Sequence, residues 1–134
     1  MDIGNLRILF DTGLLILIWM VQLVIYPSFL FYKNEGLANW HKKYTISISY
    51  IVAPLMIGQL GIAIYQLIIT DYSFTIIYFI LVAFNWFITF RVFVPLHSKI
   101  AKGIQDKVML KKLVFYNWLR TVVWTLIFIM SLFN

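Results

Sequence analysis

The sequence predicts an all-α protein, a four-helix transmembrane bundle with both termini outside and two lysine-rich loops in the cytoplasm. Three observations carry that prediction. Of the 134 residues, 63% are hydrophobic, whereas a soluble domain usually sits near about 45–50%, and a chain this short has too little interior to hide the excess. The apolar residues gather in four runs, each long enough for the ~20 residues that a helix needs to cross a bilayer core. All eight lysines fall on one side of those runs. The length suits a single domain.

The first run extends from about Ile8 to Phe31 and contains Asp11, Gln22 and Pro27. Only Arg7 is basic before it, the run is too long for a signal-peptide core, and no small-residue cleavage site follows, so it reads as a mature helix. The second run, about Tyr44 to Ile69, holds Pro54 and Gln59. The third, about Phe74 to Leu96, holds Asn85 and Arg91. The fourth, about Leu113 to Phe133, holds Asn117 and Arg120. None alternates in polarity as a barrel strand would, and backbone in lipid must pair within its own segment, so all four read as helices. The link Thr70-Asp71-Tyr72-Ser73 is short enough to make the second and third helices antiparallel neighbours.

Charge sets the orientation. Lys33, Lys42 and Lys43 flank the first link, and Lys99, Lys102, Lys107, Lys111 and Lys112 the third. The other side has Arg7 with Asp2, Asp11 and Asp71, and the C-terminal Ser131 to Asn134 carries no basic side chain. The positive-inside rule places the lysine loops in the cytoplasm, in contact with anionic lipid headgroups. A net charge of +6 is therefore read as a membrane signal, and no soluble basic face exists for nucleic acid. With no cysteine, thiolate metal sites and redox thiol pairs are excluded.

At a rise of ~1.5 Å per residue, polar residues of all four helices converge near the lysine side: Gln22 and Tyr26 on the first helix, His41 and Tyr44 on the second, Arg91 and His97 on the third, Asn117 and Arg120 on the fourth. Asn117, Arg120 and Trp124 are spaced three and four apart and share one helical face. Arg91 and Arg120 either snorkel to the interface or turn inward toward backbone carbonyls, an anionic ligand or a lipid headgroup. His41 and His97 are either interfacial polar residues, carriers of a proton, or ligands to a metal or haem. Two imidazoles with no carboxylate at fixed spacing make no defined metal site. Pro27 and Pro95 widen the lysine-side ends of their helices, and Pro54 kinks the middle of the second. Gln59 and Asn85 read as packing hydrogen bonds between helices. Trp40 and Trp118 suit an interfacial belt, while Trp86 and Trp124 lie deeper, as core or as pocket walls.

The runs Gln22 to Phe29 (with Tyr26-Pro27), Trp40-His41-Lys42-Lys43-Tyr44, Val94-Pro95-Leu96-His97 and Asn117 to Trp124 resemble a family of small, uncharacterised bacterial four-helix integral membrane proteins. More remotely, the chain is similar in size and layout to anthrone-oxygenase-like membrane proteins. The closer resemblance implies that Tyr26, Pro27, His41, Pro95, His97, Asn117 and Arg120 are signature positions, and that the protein sits in a bacterial inner membrane. Gln59 stands where that family often has an acidic residue, which removes any chemistry using that carboxylate. The remote resemblance implies oxidation of an apolar aromatic.

These readings give two expectations. In the first, a polar pocket near the cytoplasmic side binds a flat lipophilic substrate or cofactor (a quinone, an aromatic or a haem), with His41, His97 and Arg120 as the catalytic set and Tyr26, Tyr44, Arg91, Asn117 and Trp124 holding the ligand. In the second, the chain is a non-enzymatic subunit or assembly factor of a larger membrane complex, or a homo-oligomer. A transporter fits less well, since no repeat, broken helix pair or mid-membrane acidic coupling residue is visible.

Overall fold

A computed structural model describes residues 2–33, 35–70, 72–104 and 106–133 in full. Asp71 and Asn134, which entered the charge argument, lie outside them. Four helices follow one another: α1 (Ile3–Phe31), α2 (Glu35–Ile69), α3 (Ser73–Ala101) and α4 (Lys107–Leu132), each long and apolar enough to cross a membrane. Among the described residues there is no strand. Helix α1 packs on α2 and α4, and α3 packs on the same two, so the helices form a ring in chain order with short links between antiparallel neighbours.

Inside and outside are reversed relative to a soluble bundle. Ile16, Phe31, Tyr50, Ile68, Phe87 and Phe115 stand exposed, while Arg7, Asp11, Gln22, His41, Gln59, Asn85, Asn117 and Arg120 are buried. In water, so large an apolar exterior would drive association. In lipid it is the solvated surface, and the polar groups turn inward to find one another. All eight lysines are exposed at one end of the bundle.

The helices run beyond the apolar stretches because their ends are set by capping rather than by hydropathy. Asp2 caps α1 by accepting from the Asn5 amide at 2.7 Å. Asp106 caps α4 through the Met109 amide at 2.6 Å, seven residues before the apolar run begins. Helix α3 continues past Leu96 to Ala101 and ends where Gly103, with φ of 74°, lets Gly103 and Ile104 donate back to the carbonyls of Ile100 and Lys99, each at 3.0 Å. Much of the predicted lysine loops is thus helix.

Two proline steps shape the lysine end. In α1 a π turn, Val21–Ile25, precedes Pro27, and in α3 another, Thr89–Phe93, precedes Pro95. A proline ring crowds the carbonyl four residues earlier and offers no N–H to it, and a π turn upstream takes up the extra room. Pro54 lies within α2 with no such turn. The apolar interior divides likewise. One cluster, with Tyr26, Phe29, Tyr44 and Phe93, fills the lysine end, and a second, with Leu14, Tyr78, Val82 and Trp124, fills the half nearer the termini.

Candidate functional site

The π turns aim two side chains at one another. Tyr26, the first residue after the π turn of α1, brings its hydroxyl to 2.9 Å from Nε2 of His97, which follows the π turn of α3. The other nitrogen of that ring, Nδ1, lies 2.6 Å from Nε2 of His41 on α2. The ring centroids are 4.9 Å apart and the planes only 27° from parallel. That separation belongs to rings meeting nitrogen to nitrogen, not face to face. The result is a file, Tyr26–His97–His41, joining three helices. Its far atom, Nδ1 of His41, is buried without a hydrogen-bond partner. Phe29, fully buried, props the file with its ring 5.7 Å from those of both Tyr26 and His41 and 5.6 Å from that of Tyr44.

Arg120, only 7% exposed, enters from α4. Its guanidinium carbon sits 4.4 Å from the ring centroid of Phe93 and 5.0 Å from that of Trp124, contacts worth about 2 kcal/mol each when desolvated. It also lies against the Tyr26 hydroxyl and near that of Tyr44, and among the described residues no carboxylate balances it. Its Nε is buried without a partner. Arg120 can only donate to the Tyr26 oxygen. The single phenolic proton then points to Nε2 of His97, His97 donates from Nδ1 to Nε2 of His41, and the remaining N–H is on Nδ1 of His41. This tautomer assignment satisfies every contact in the file.

Beside Tyr26, Tyr44, His97 and Arg120 lies a cavity of about 300 Å³. Leu17, Ile18 and Val21 from α1, Ile48 and Val52 from α2, Phe93 from α3 and Trp124 from α4 make its walls. Its mouth lies between α2 and α3, where the lining residues Ser49 and Val94 are exposed. A mostly apolar chamber with a few convergent polar groups is the usual form of a small-molecule site.

Of the residues singled out in the sequence, Tyr26, Tyr44, His97, Arg120 and Trp124 line this cavity, and His41 stands directly behind His97. Asn117 does not line it. It shares the face of Arg120 as its spacing requires, but donates to Oε1 of Gln22 at 2.9 Å, while Gln22 donates to the Val114 carbonyl at 3.2 Å. Asn117 is thus a clasp between α1 and α4. Arg91 is exposed on the outside of α3. The inward face of that helix passes through Val82, Asn85, Ile88 and Phe93, and two residues from Phe93 is nearly the opposite face. Trp86 stacks on Phe90 and takes no part in the cavity.

A second polar cluster occupies the half nearer the termini. Asp11, 1% exposed, accepts from Gln59 at 2.7 Å, from Tyr78 at 2.8 Å and from the Ser131 hydroxyl, so all four helices meet on one carboxylate. Arg7 helps to balance it, and donates to Gln66 at 3.3 Å. Gln59 in turn accepts from Trp124 Nε1 at 3.2 Å, which ties this cluster to the cavity wall. Sequence reasoning left Asp11 near the opposite surface and treated Gln59 as simple packing. The available signal was that Asp11 and Gln59 lie at matching depths on antiparallel neighbours.

The histidines as placed are a hydrogen-bonded pair. A zinc-like ion held tetrahedrally by both would set their nitrogens about 3.3 Å apart, and a haem between them would need more room, not 2.6 Å. Among the described residues no three His, Asp or Glu side chains gather as a metal site. No family model, curated protein or solved structure matches the chain. Function has to be read from the site itself.

Proposed function

We propose that this is an integral membrane protein of the bacterial inner membrane, lysine end in the cytoplasm. It binds a flat lipophilic molecule, quinone-like or aromatic, in the cavity between the helices. The observation that carries the reading is the juxtaposition of an apolar chamber of about 300 Å³ with a buried arginine, two phenols and a histidine at one end. The mouth between α2 and α3 suits a molecule arriving from lipid. Arg120 and Tyr44 hold a polar edge of the ring system, and Trp124 and Phe93 flank it. Tyr26–His97–His41 then forms a path for a proton between the ligand and the lysine end. With the tautomers given above, the path is set to take a proton from the ligand. The ligand O–H breaks as Tyr26 gains that proton, the proton of Tyr26 passes to His97, and that of His97 passes to Nε2 of His41, which is left as an imidazolium at the lysine end.

Mass spectrometry of small molecules that stay with the protein in mild detergent, joined to quenching of tryptophan fluorescence by an added short-chain quinone, tests the reading. The expected result is a saturable quench, from Trp124 in the wall, weakened about tenfold or more by Arg120→Gln, in line with loss of a charge-assisted hydrogen bond. No saturable quench and no copurifying aromatic would overturn it.

A further inference from the structure

The two buried arginines are treated differently by the fold, and the difference describes the ligand. Arg7 lies with Asp11, a carboxylate also held by Gln59, Tyr78 and Ser131, so charge is matched within that cluster. Arg120 is as deeply buried, yet its neighbours are two aromatic faces and two neutral phenols. An unpaired charge in a bilayer interior costs about 3 kcal/mol or more; the ring contacts offset some of that but offer no acceptor to its N–H groups. The guanidinium also keeps Nε free of any partner while lining the cavity. Among the described residues the cavity lining carries the charge of Arg120 and no carboxylate.

We infer that the ligand supplies the anion: the cavity takes a lipophilic ring system bearing an acidic enol or phenol and holds it as the deprotonated oxygen against Arg120. The inference rests on the cavity-binding reading above and adds the charge state. It also gives the file its direction. The hydroxyl proton of the ligand passes to Tyr26, and in concert the file delivers one proton to Nε2 of His41, which becomes an imidazolium. The ligand oxygen is left charged beside the arginine, and no electron moves. A neutral quinone would leave Arg120 as uncompensated as before. A fatty-acid carboxylate would supply the charge, but has no flat ring for the space that Trp124 and Phe93 line.

Three probes decide the matter, with binding followed by tryptophan quenching of the purified protein in mild detergent at pH 7. They are a 3-alkyl-2-hydroxy-1,4-naphthoquinone, its 2-methyl ether and dodecanoate. The expected result is that the hydroxy compound binds about tenfold or more tighter than the ether, the effect of one charge-assisted contact, with dodecanoate weaker than either. Arg120→Gln should erase that preference by weakening the hydroxy compound alone, and Arg120→Lys should restore part of it. Equal binding of ether and hydroxy compound would overturn the anion while leaving the cavity reading intact. Binding of dodecanoate but of neither quinone would overturn the flat ligand and the inference with it. Binding of none of the three would sink the cavity reading itself. Should the arginine variants fail to fold, the comparison of ether with hydroxy compound on the unaltered protein still decides.

Discussion

At Tyr26 one hydroxyl joins the cavity to the histidine pair, and its ring also stacks on Phe93 at 6.2 Å. These two roles separate in Tyr26→Phe. The ring packing survives, while His97 loses its partner at Nε2, so the variant should fold and lose about 1–3 kcal/mol, the cost of a buried nitrogen left unpaired. Thermal unfolding in detergent measures that loss, and NMR of ring-labelled histidine reports whether the His41–His97 contact persists without the phenol. A loss above about 4 kcal/mol would show that Tyr26 is chiefly a structural support. Asp2 and Asp11 make a second contrast. Both are acids on α1, but Asp2 caps one exposed amide, whereas Asp11 is the shared acceptor of three helices. Asp2→Ala should cost about 1 kcal/mol. Asp11→Ala should cost about 3 kcal/mol or more, because it strands three donors and the charge of Arg7 together. Equal unfolding temperatures for the two variants would contradict the second cluster.

Between elements, register decides which side chains meet. The sequence shows Pro27 and Pro95, and a break near the lysine end of α1 and α3 follows from them. What it does not show is the form of the break. A π turn places one more residue per turn than an α turn and so re-aims everything after it, which brings His97 inward and leaves Arg91 outside. Pro95→Ala restores an N–H and allows α3 to return to α spacing. Helix content by far-UV circular dichroism should then be unchanged, while the contact of His97 with Tyr26 and ligand affinity are lost. Retention of full affinity would mean that the π turn does not depend on the proline. Helix contact gives a second element-level test. A Cβ on Gly58 would collide with the ring of Phe10, whereas one on Gly61 meets nothing within 4 Å. Gly58→Ala should therefore destabilise the α1–α2 seam by about 1–3 kcal/mol. Gly61→Ala should be neutral or stabilising by up to about 1 kcal/mol. Unfolding temperatures of the pair in one detergent check both signs.

For the whole molecule, helix number and the segregation of lysines were legible because lipid solvation acts on composition, and composition is written openly in the chain. The convergence of Tyr26, His41, Tyr44, His97 and Arg120 was legible from depth alone. The clasp of Asn117 with Gln22, the outward turn of Arg91 and the four-helix grip on Asp11 were not, since each depends on rotation about a helix axis, which depth does not encode. Orientation in the membrane is the remaining global property, and the charge pattern argues it. The eight lysines are all exposed at one end, and at roughly 1 kcal/mol per basic residue near an anionic surface the cytoplasmic leaflet is the favourable neighbour for that end. The absence of cysteine makes a direct test simple. Asn5 and Lys102 are both exposed, at opposite ends of the bundle. In intact bacterial cells a membrane-impermeant maleimide should label Asn5→Cys at once, and Lys102→Cys only after the inner membrane is opened. The reverse pattern would turn the protein over, and the histidine end of the file would then face the outer side of the membrane. The chemistry of the cavity would stand, but its connection to the cytoplasm would not.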